Sequence, residues 1–402
     1  MNILFLTLVK IKSLDDGGIF PDLLSKFRDE GHKVHVVSPI ERRDKLDTHL
    51  IEELGAQILN VKTLNIQKTN FLEKGIGTIA IEYQYLKAVK LYFRKQKFDL
   101  VLYSTPPITF SKVVDFIKKR DNAYSYLLLK DIFPQNAVDM GMIKSGSLIH
   151  KMFLKKERKL YKVSDKIGCM SQANVDYVLK HNPEVDPGKL EINPNSIEPK
   201  KRVITSEQKQ KIKTKYGLPL DKKIFVYGGN LGKPQGLDFL LKTISANKKE
   251  EVFFLIVGSG TEYINVKSYF DNNQPQNAKL LKGLAKKDYD TLLNACDVGL
   301  IFLHKNFTIP NFPGRLLSYL EMGMPIIAAT DINTDIGQVI VRNKCGYWVE
   351  SGNNKGMQDA IMNILDDEIM FDEMKKKSWE LLQNEFTVSR TYNLIKNKID
   401  CV

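Results

Sequence analysis

The chain has 402 residues, 43% hydrophobic and 27% charged, which is globular material for about two domains of roughly 100–200 residues. Sixty Lys and Arg against 47 Asp and Glu leave a net charge of +13, a balance suited to anionic partners such as nucleic acid, anionic lipid or phosphorylated small molecules. Dominant disorder is excluded because apolar runs recur throughout, and no run approaches the roughly 18 apolar residues of a membrane span. The opening stretch from Met1 to Val9 lacks a charged n-region and a small-residue cleavage site, so it reads as a first strand over 3–7 rather than a signal peptide. A polar loop follows, and 19–30 then carries Phe20, Leu23, Leu24 and Phe27 at helical spacing. Gly31-His32 stops that helix and 33–38 resumes as a strand. The pattern returns at 100–104, 125–129 and 166–170 with helices between, which predicts a parallel sheet covered on both faces. Proline and polar residues over 193–201 read as an interdomain linker. Strands are expected again at 223–227, 252–257, 279–281, 298–302, 326–328 and 346–349. Two such layers would hold a ligand in the cleft between them, beyond the carboxyl ends of the strands.

Chemistry concentrates in two places. In Tyr227-Gly228-Gly229-Asn230-Leu231-Gly232-Lys233-Pro234-Gln235-Gly236 a strand runs into a glycine-rich loop, and a helix is expected to open near Pro234-Gln235. Glycines admit a ligand close to the backbone, free helix-start N–H groups favour an anion, and Lys233 adds charge; a tight turn without a ligand is the plainer alternative. In Pro310-Asn311-Phe312-Pro313-Gly314-Arg315-Leu316-Leu317-Ser318, Pro313 and Gly314 mark a helix start carrying Arg315, either a second anion cradle or an ordinary connection. Asp288-Tyr289-Asp290 has the DxD form of a metal site but falls at a helix start, where aspartates cap. The six histidines form no HxxxH pair. Cys169, Cys296, Cys345 and Cys401 lack CxxC spacing, so no zinc site or disulfide framework is expected and a reducing compartment is. Over 147–163, Leu148, Ile149, Met152, Phe153, Leu160 and Val163 recur at helical spacing among Lys151, Lys155, Lys156, Arg158, Lys159 and Lys162. The apolar stripe is expected to pack in the core, with the basic face aiding contact with an anionic membrane. No helix-turn-helix, aromatic-interleaved patch or basic tail supports nucleic-acid binding.

These motifs, with Leu255-Ile256-Val257-Gly258-Ser259-Gly260, Leu281-Lys282-Gly283-Leu284 and Ala295-Cys296-Asp297-Val298-Gly299-Leu300, resemble the C-terminal domain of family-4 glycosyltransferases. The N-terminal half agrees through Asp16-Gly17-Gly18, Gly31-His32-Lys33-Val34-His35-Val36 and Leu129-Lys130-Asp131-Ile132-Phe133-Pro134-Gln135-Asn136-Ala137-Val138. Its texture is similar to bacterial N-acetyl-L-fucosamine transferases. The resemblance implies an α/β GT-B fold: two Rossmann-like domains with parallel sheets facing across a cleft. Residues 1–198 would bind the acceptor, 199–382 the nucleotide-sugar, and a helix over about 383–402 would pack back on the first domain. It implies a cytoplasmic hexosyltransferase, peripheral at the inner face of the plasma membrane. Its donor would be a UDP-sugar and its acceptor an undecaprenyl-diphosphate-linked sugar of capsule or O-antigen synthesis. Retention of configuration and no metal cofactor are expected. Donor contacts would come from Gly229, Asn230, Lys233, Gln235, Gly236, Gly283, Leu284, Pro313, Gly314, Arg315, Leu316 and Ser318. Gly17 and Gly18 would form a loop over the sugar. The catalytic pair would be Asp131, as base or acceptor anchor (a helix-capping aspartate being the plainer alternative), and Lys130, as a phosphate or carboxylate contact. Three departures stand out. Asn230 and Gln235 replace an arginine and a lysine that bind diphosphate, Pro310 and Ser318 replace two glutamates, and Lys130 replaces a histidine. The rival readings are a UDP-sugar 2-epimerase on the same fold and a non-catalytic partner subunit.

Overall fold

The computed structural model describes residues 1–53, 55–66, 71–201 and 204–399; Cys401 and the end of the expected C-terminal helix lie outside them. The chain divides into two compact units, Met1–Glu198 with Thr387–Val402, and Pro199–Phe386.

The first unit is an eight-stranded sheet of β1 (Asn2–Leu6), β2 (Lys33–Glu41), β3 (His49–Glu53), β4 (Ala56–Thr63), β5 (Leu100–Ser104), β6 (Tyr124–Leu129), β7 (Lys166–Cys169) and β8 (Leu190–Ile192). Their order is β3-β4-β2-β1-β5-β6-β7-β8, parallel throughout except for antiparallel β3 against β4. β5 is buried at every residue, as a strand covered on both faces must be, which is why it reads as an unbroken apolar run. The strands the sequence does not announce are at the edges. β3 is half polar, and β4 is interrupted by Asn60 and Lys62, so neither shows a clean period.

The chain passes from the first unit to the second between Glu198 and Pro199, inside the expected linker 193–201. Its first part is fixed inside the first unit, with Asn193 fully buried and Ser196 nearly so. The helix Val388–Ile399 lies there: Thr391 Oγ1 donates to Asn193 Oδ1 and bonds Ser196 Oγ, while the Tyr392 ring packs edge-on against Phe27 at 4.9 Å.

The helix Leu148–Val163 also departs from expectation. Its buried face is His150, Phe153, Glu157, Leu160 and Tyr161, whereas Leu148, Ile149 and Met152 remain exposed. The apolar stripe therefore splits, because the first turn overhangs the core that the later turns cover.

The second unit is a six-stranded, wholly parallel sheet of β9 (Lys223–Asn230), β10 (Val252–Ser259), β11 (Ala278–Lys282), β12 (Val298–Phe302), β13 (Ile326–Thr330) and β14 (Gly346–Glu350). Its order is β11-β10-β9-β12-β13-β14. The order reverses between β9 and β12, the topological switch point at which open α/β sheets take ligands beyond their carboxyl ends.

Candidate active site

In the second unit the glycine loop sits at that switch point. β9 carries Gly228-Gly229-Asn230 at its end, with Gly229 at φ +122°, a conformation that favours glycine. The neighbouring strand is held equally close. A Cβ on Gly258 at the end of β10 would lie 2.2 Å from the Gly229 carbonyl oxygen, and one on Gly260 would lie 2.3 Å from that of Leu231. Gly258→Ala is therefore expected to displace the loop and weaken by about ten-fold the binding of an anion at the loop, without itself touching it, as read by calorimetry.

The helix expected near Pro234-Gln235 opens later. Lys233–Gln235 form a single 3-10 turn, and the α-helix is Leu237–Ala246. Gly236 at φ +56° has its Cβ space filled by the Leu303 carbonyl and the His304 nitrogen, so a close backbone crossing by itself requires glycine here. Leu316, the next residue of the expected set, has its side chain fully buried in the core.

Arg315 is drawn inward. It begins the helix Arg315–Glu321, after Gly314 as cap, and its guanidinium lies 4.3 Å from the centre of the Tyr227 ring. Its Nη2 donates to Gln235 Oε1, which also accepts from the Tyr227 hydroxyl at 3.3 Å. Burial opposes the guanidinium charge, but Tyr227 and Tyr319 beside it more than offset this and raise its pKa. Nη1 is buried and finds no acceptor among the described residues. The guanidinium flanks the position a Cβ on Gly229 would take, at 3.9 Å. A cation with an unspent donor thus stands beside the glycine loop, held by the Gln235 amide where the family resemblance expects a lysine. Gln235 positions the cation rather than replacing it.

Tyr319 was not foreseen. Fully buried, it accepts from Gly228 N–H at 3.1 Å and lies 3.2 Å from the Val226 and Leu300 carbonyls. Its hydroxyl ties β9 to β12 directly under the loop. The apolar run around it hid this role in the sequence. Lys233, Asn230 and Gly283 are exposed and Ser318, Pro313 and Leu284 half-buried; a Cβ on Gly283 would sit 3.3 Å from Ser259 Oγ, at the same sheet edge. Asp290 pairs with Lys286 at 2.9 Å on the helix Lys286–Leu293, which occupies one carboxylate of the DxD sequence. No group of three or more His, Cys, Asp or Glu among the described residues is arranged to hold a metal.

In the first unit, Lys130 and Asp131 follow β6. Their backbone N–H groups both donate to Thr105 Oγ1, at 2.9 and 3.1 Å, which fixes the turn. Asp131 accepts from Asn136 Nδ2 at 2.6 Å. Lys130 Nζ donates to the Asn193 carbonyl at 3.0 Å and has no ion-pair partner among the described residues. Burial lowers its pKa to about 7, while Cys169 opposes that shift. Behind it, Asn193 Nδ2 donates to Tyr126 Oη at 2.9 Å, and Tyr126 donates to Glu191 at 2.6 Å. Gly17 and Gly18, at φ +70° and +117°, shape the loop after β1, and Gly18 N–H donates to Asp22 at 2.9 Å.

Residues 208–380 match the model of the glycosyl transferases group 1 family. The chain is 24% identical over 283 residues to a probable glycosyltransferase, WbjE, of Pseudomonas aeruginosa, covering 70% of this chain and 69% of that one. Among solved structures it superposes on sucrose-phosphate synthase from Thermosynechococcus elongatus with a TM-score of 0.74 at 14% identity, over 98% of this chain and 97% of that one. Anabaena HepE in complex with UDP-glucose gives 0.72 at 13% identity, over the whole of both chains.

Proposed function

We propose that this chain, a glycosyltransferase of GT-B fold with a group 1 domain over residues 208–380, moves a sugar from a UDP-sugar to a lipid-linked glycan in bacterial surface polysaccharide synthesis. The observation that carries the donor class is Arg315 with its unspent Nη1 beside the Gly228-Gly229 loop. The names of relatives support the rest: HepE was solved with UDP-glucose, and a putative colanic acid glycosyl transferase, WcaI of Escherichia coli, is 23% identical over 128 residues, covering 32% of this chain and 31% of that one.

In this reading the second unit binds the diphosphate. As the glycosidic bond breaks, negative charge grows on the phosphate oxygens, and fixed donors stabilise it. Arg315 and the backbone N–H groups of the glycine loop supply them, with Lys233 as an exposed cation nearby and Ser318 as a neutral hydroxyl for the ribose. The first unit takes the acceptor. Asp131, oriented by Asn136, holds the acceptor hydroxyl, whose proton leaves with the departing phosphate as configuration is retained. Lys130 contacts an anionic group of the acceptor. N-acetyl-L-fucosamine as the sugar, undecaprenyl diphosphate as the carrier and a cytoplasmic site at an anionic membrane complete the proposal.

The test is to incubate the protein with UDP-sugars in the presence and absence of lipid-linked acceptors. Glycosylated lipid and free UDP are the expected products. An epimerised donor formed without acceptor would favour the epimerase, and UDP binding without turnover on any acceptor the partner-subunit reading.

A further inference from the structure

No helix among the described residues is long and apolar enough to cross a membrane, so a lipid-borne acceptor has to be met from outside the bilayer. The helix Leu148–Val163 offers a surface for this. Leu148 is 85% exposed, Ile149 49% and Met152 38%, three aliphatic side chains grouped at the helix start with Ser147 as its cap. Leu148, Met152, Lys155 and Lys159 follow one another at i+4, i+3 and i+4, along one face. Lys151, Lys155, Arg158, Lys159 and Lys162 are all exposed, and of these only Arg158 has an ion-pair partner among the described residues, Glu184 at 3.3 Å. The helix's one carboxylate, Glu157, is turned inward and accepts from Tyr161. The solvent face is therefore of one sign.

The face is also rigid. Lys156 pairs at 2.7 Å with Glu82, which is fully buried and also accepts from Ser111 Oγ and Lys112 N–H. On the helix's inner side the Phe153 ring packs edge-on against Phe133 at 4.9 Å. Lysines continue onto both flanks. Grooves of about 530 and 460 Å³ run along the helix, and Lys159 and Lys162 line both.

We propose that the first turn of this helix is a membrane prong: Leu148, Ile149 and Met152 enter the acyl boundary of an anionic bilayer, and Lys151, Lys155, Lys159 and Lys162 lie among its head groups. The occupant is a lipid surface because the apolar tip carries no ring to stack on a base, and because the exposed charges of the helix itself are all positive, only Arg158 among them having an ion-pair partner among the described residues. The inference rests on the reading that the acceptor is lipid-borne, but its test is independent of catalysis.

Flotation of the full chain with vesicles of phosphatidylcholine alone, or with added phosphatidylglycerol, is the experiment. The unmodified protein is expected to bind the anionic vesicles about ten-fold more, with the excess lost in high salt. The uncharged double variant Leu148→Gln with Met152→Gln is expected to lose about ten-fold of that binding, while its unfolding temperature and UDP affinity stay unchanged. Lys155→Gln with Lys159→Gln is expected to lose a similar share. Absence of vesicle binding by the unmodified protein overturns the proposal. So does full binding by the Leu148/Met152 variant, which would leave electrostatic attraction alone, or displacement from vesicles by an equal mass of duplex DNA. Failure of UDP to bind would instead count against the donor-site reading and leave this one standing.

Discussion

Replacing Arg315 with alanine is expected to weaken UDP binding about 100-fold, on the order of 2–3 kcal/mol, the worth of a charge-assisted contact in a partly dry site. The size follows from geometry. The guanidinium is held on one side by Gln235 and on its face by Tyr227, so it loses little freedom when a phosphate arrives, and Nη1 already sits desolvated without an acceptor. The family resemblance expects two cations in the glycine loop, where this chain has Asn230 and Gln235; on the proposed reading Arg315 supplies the charge from the start of the helix Arg315–Glu321. A second substitution tests that relocation. Gln235→Lys in the Arg315→Ala background returns a cation to the loop and is expected to recover about ten-fold of the lost affinity. Arg315→Lys alone recovers less, because an ammonium cannot hold the Gln235 amide and offer a second planar donor at once. Calorimetry with UDP reads all three variants, and unchanged affinity in Arg315→Ala would remove the donor-site assignment.

The second large effect concerns Lys130. Lys130→Met is expected to lower kcat/KM for the acceptor by about 100-fold and, unusually, to stabilise the protein. Burial holds the native pKa near 7 instead of the ordinary 10.5. Between those values the unfolded chain binds a proton that the native state does not, so this group makes stability rise with pH across the window; below about pH 7 the whole cost of the buried charge is in place. Methionine removes that cost. The expected result is a higher unfolding temperature at pH 6 and a shallower rise in stability between pH 7 and 10 for the variant. The groups facing Lys130 are Cys169, whose thiol burial pushes up to about 12, and the neutral Asn193 carbonyl, with Tyr126 and Glu191 behind it. The lysine itself changes charge near neutrality. If its ammonium form grips the acceptor, activity of the unmodified protein falls as pH rises through 7, and Lys130→Arg removes that fall. A destabilised Lys130→Met variant, or an acceptor kcat/KM equal to that of the unmodified protein, would refute the role.

The alternation of apolar runs with amphipathic stretches determined by itself that there are two parallel α/β layers. Strands such as β5, β10 and β12 are buried on both faces and leave a run too apolar to be anything else. The Gly228-Gly229 turn was legible for a similarly local reason: only glycine suits a φ of +122°. What the sequence could not decide were relations between distant residues. Whether Leu148 and Phe153, five positions apart, share a fate depends on where the core ends beneath their helix. How much of the linker 193–201 is fixed depends on a helix almost 200 residues later, whose Thr391 ties down Asn193 and so sets the carbonyl that Lys130 meets. Gln235 and Arg315, 80 positions apart, become one device only because β9 and β12 are neighbours in the sheet and bring a loop and a helix start to the same edge. Periodicity records burial along one element, whereas a charge's partner is set by packing between elements.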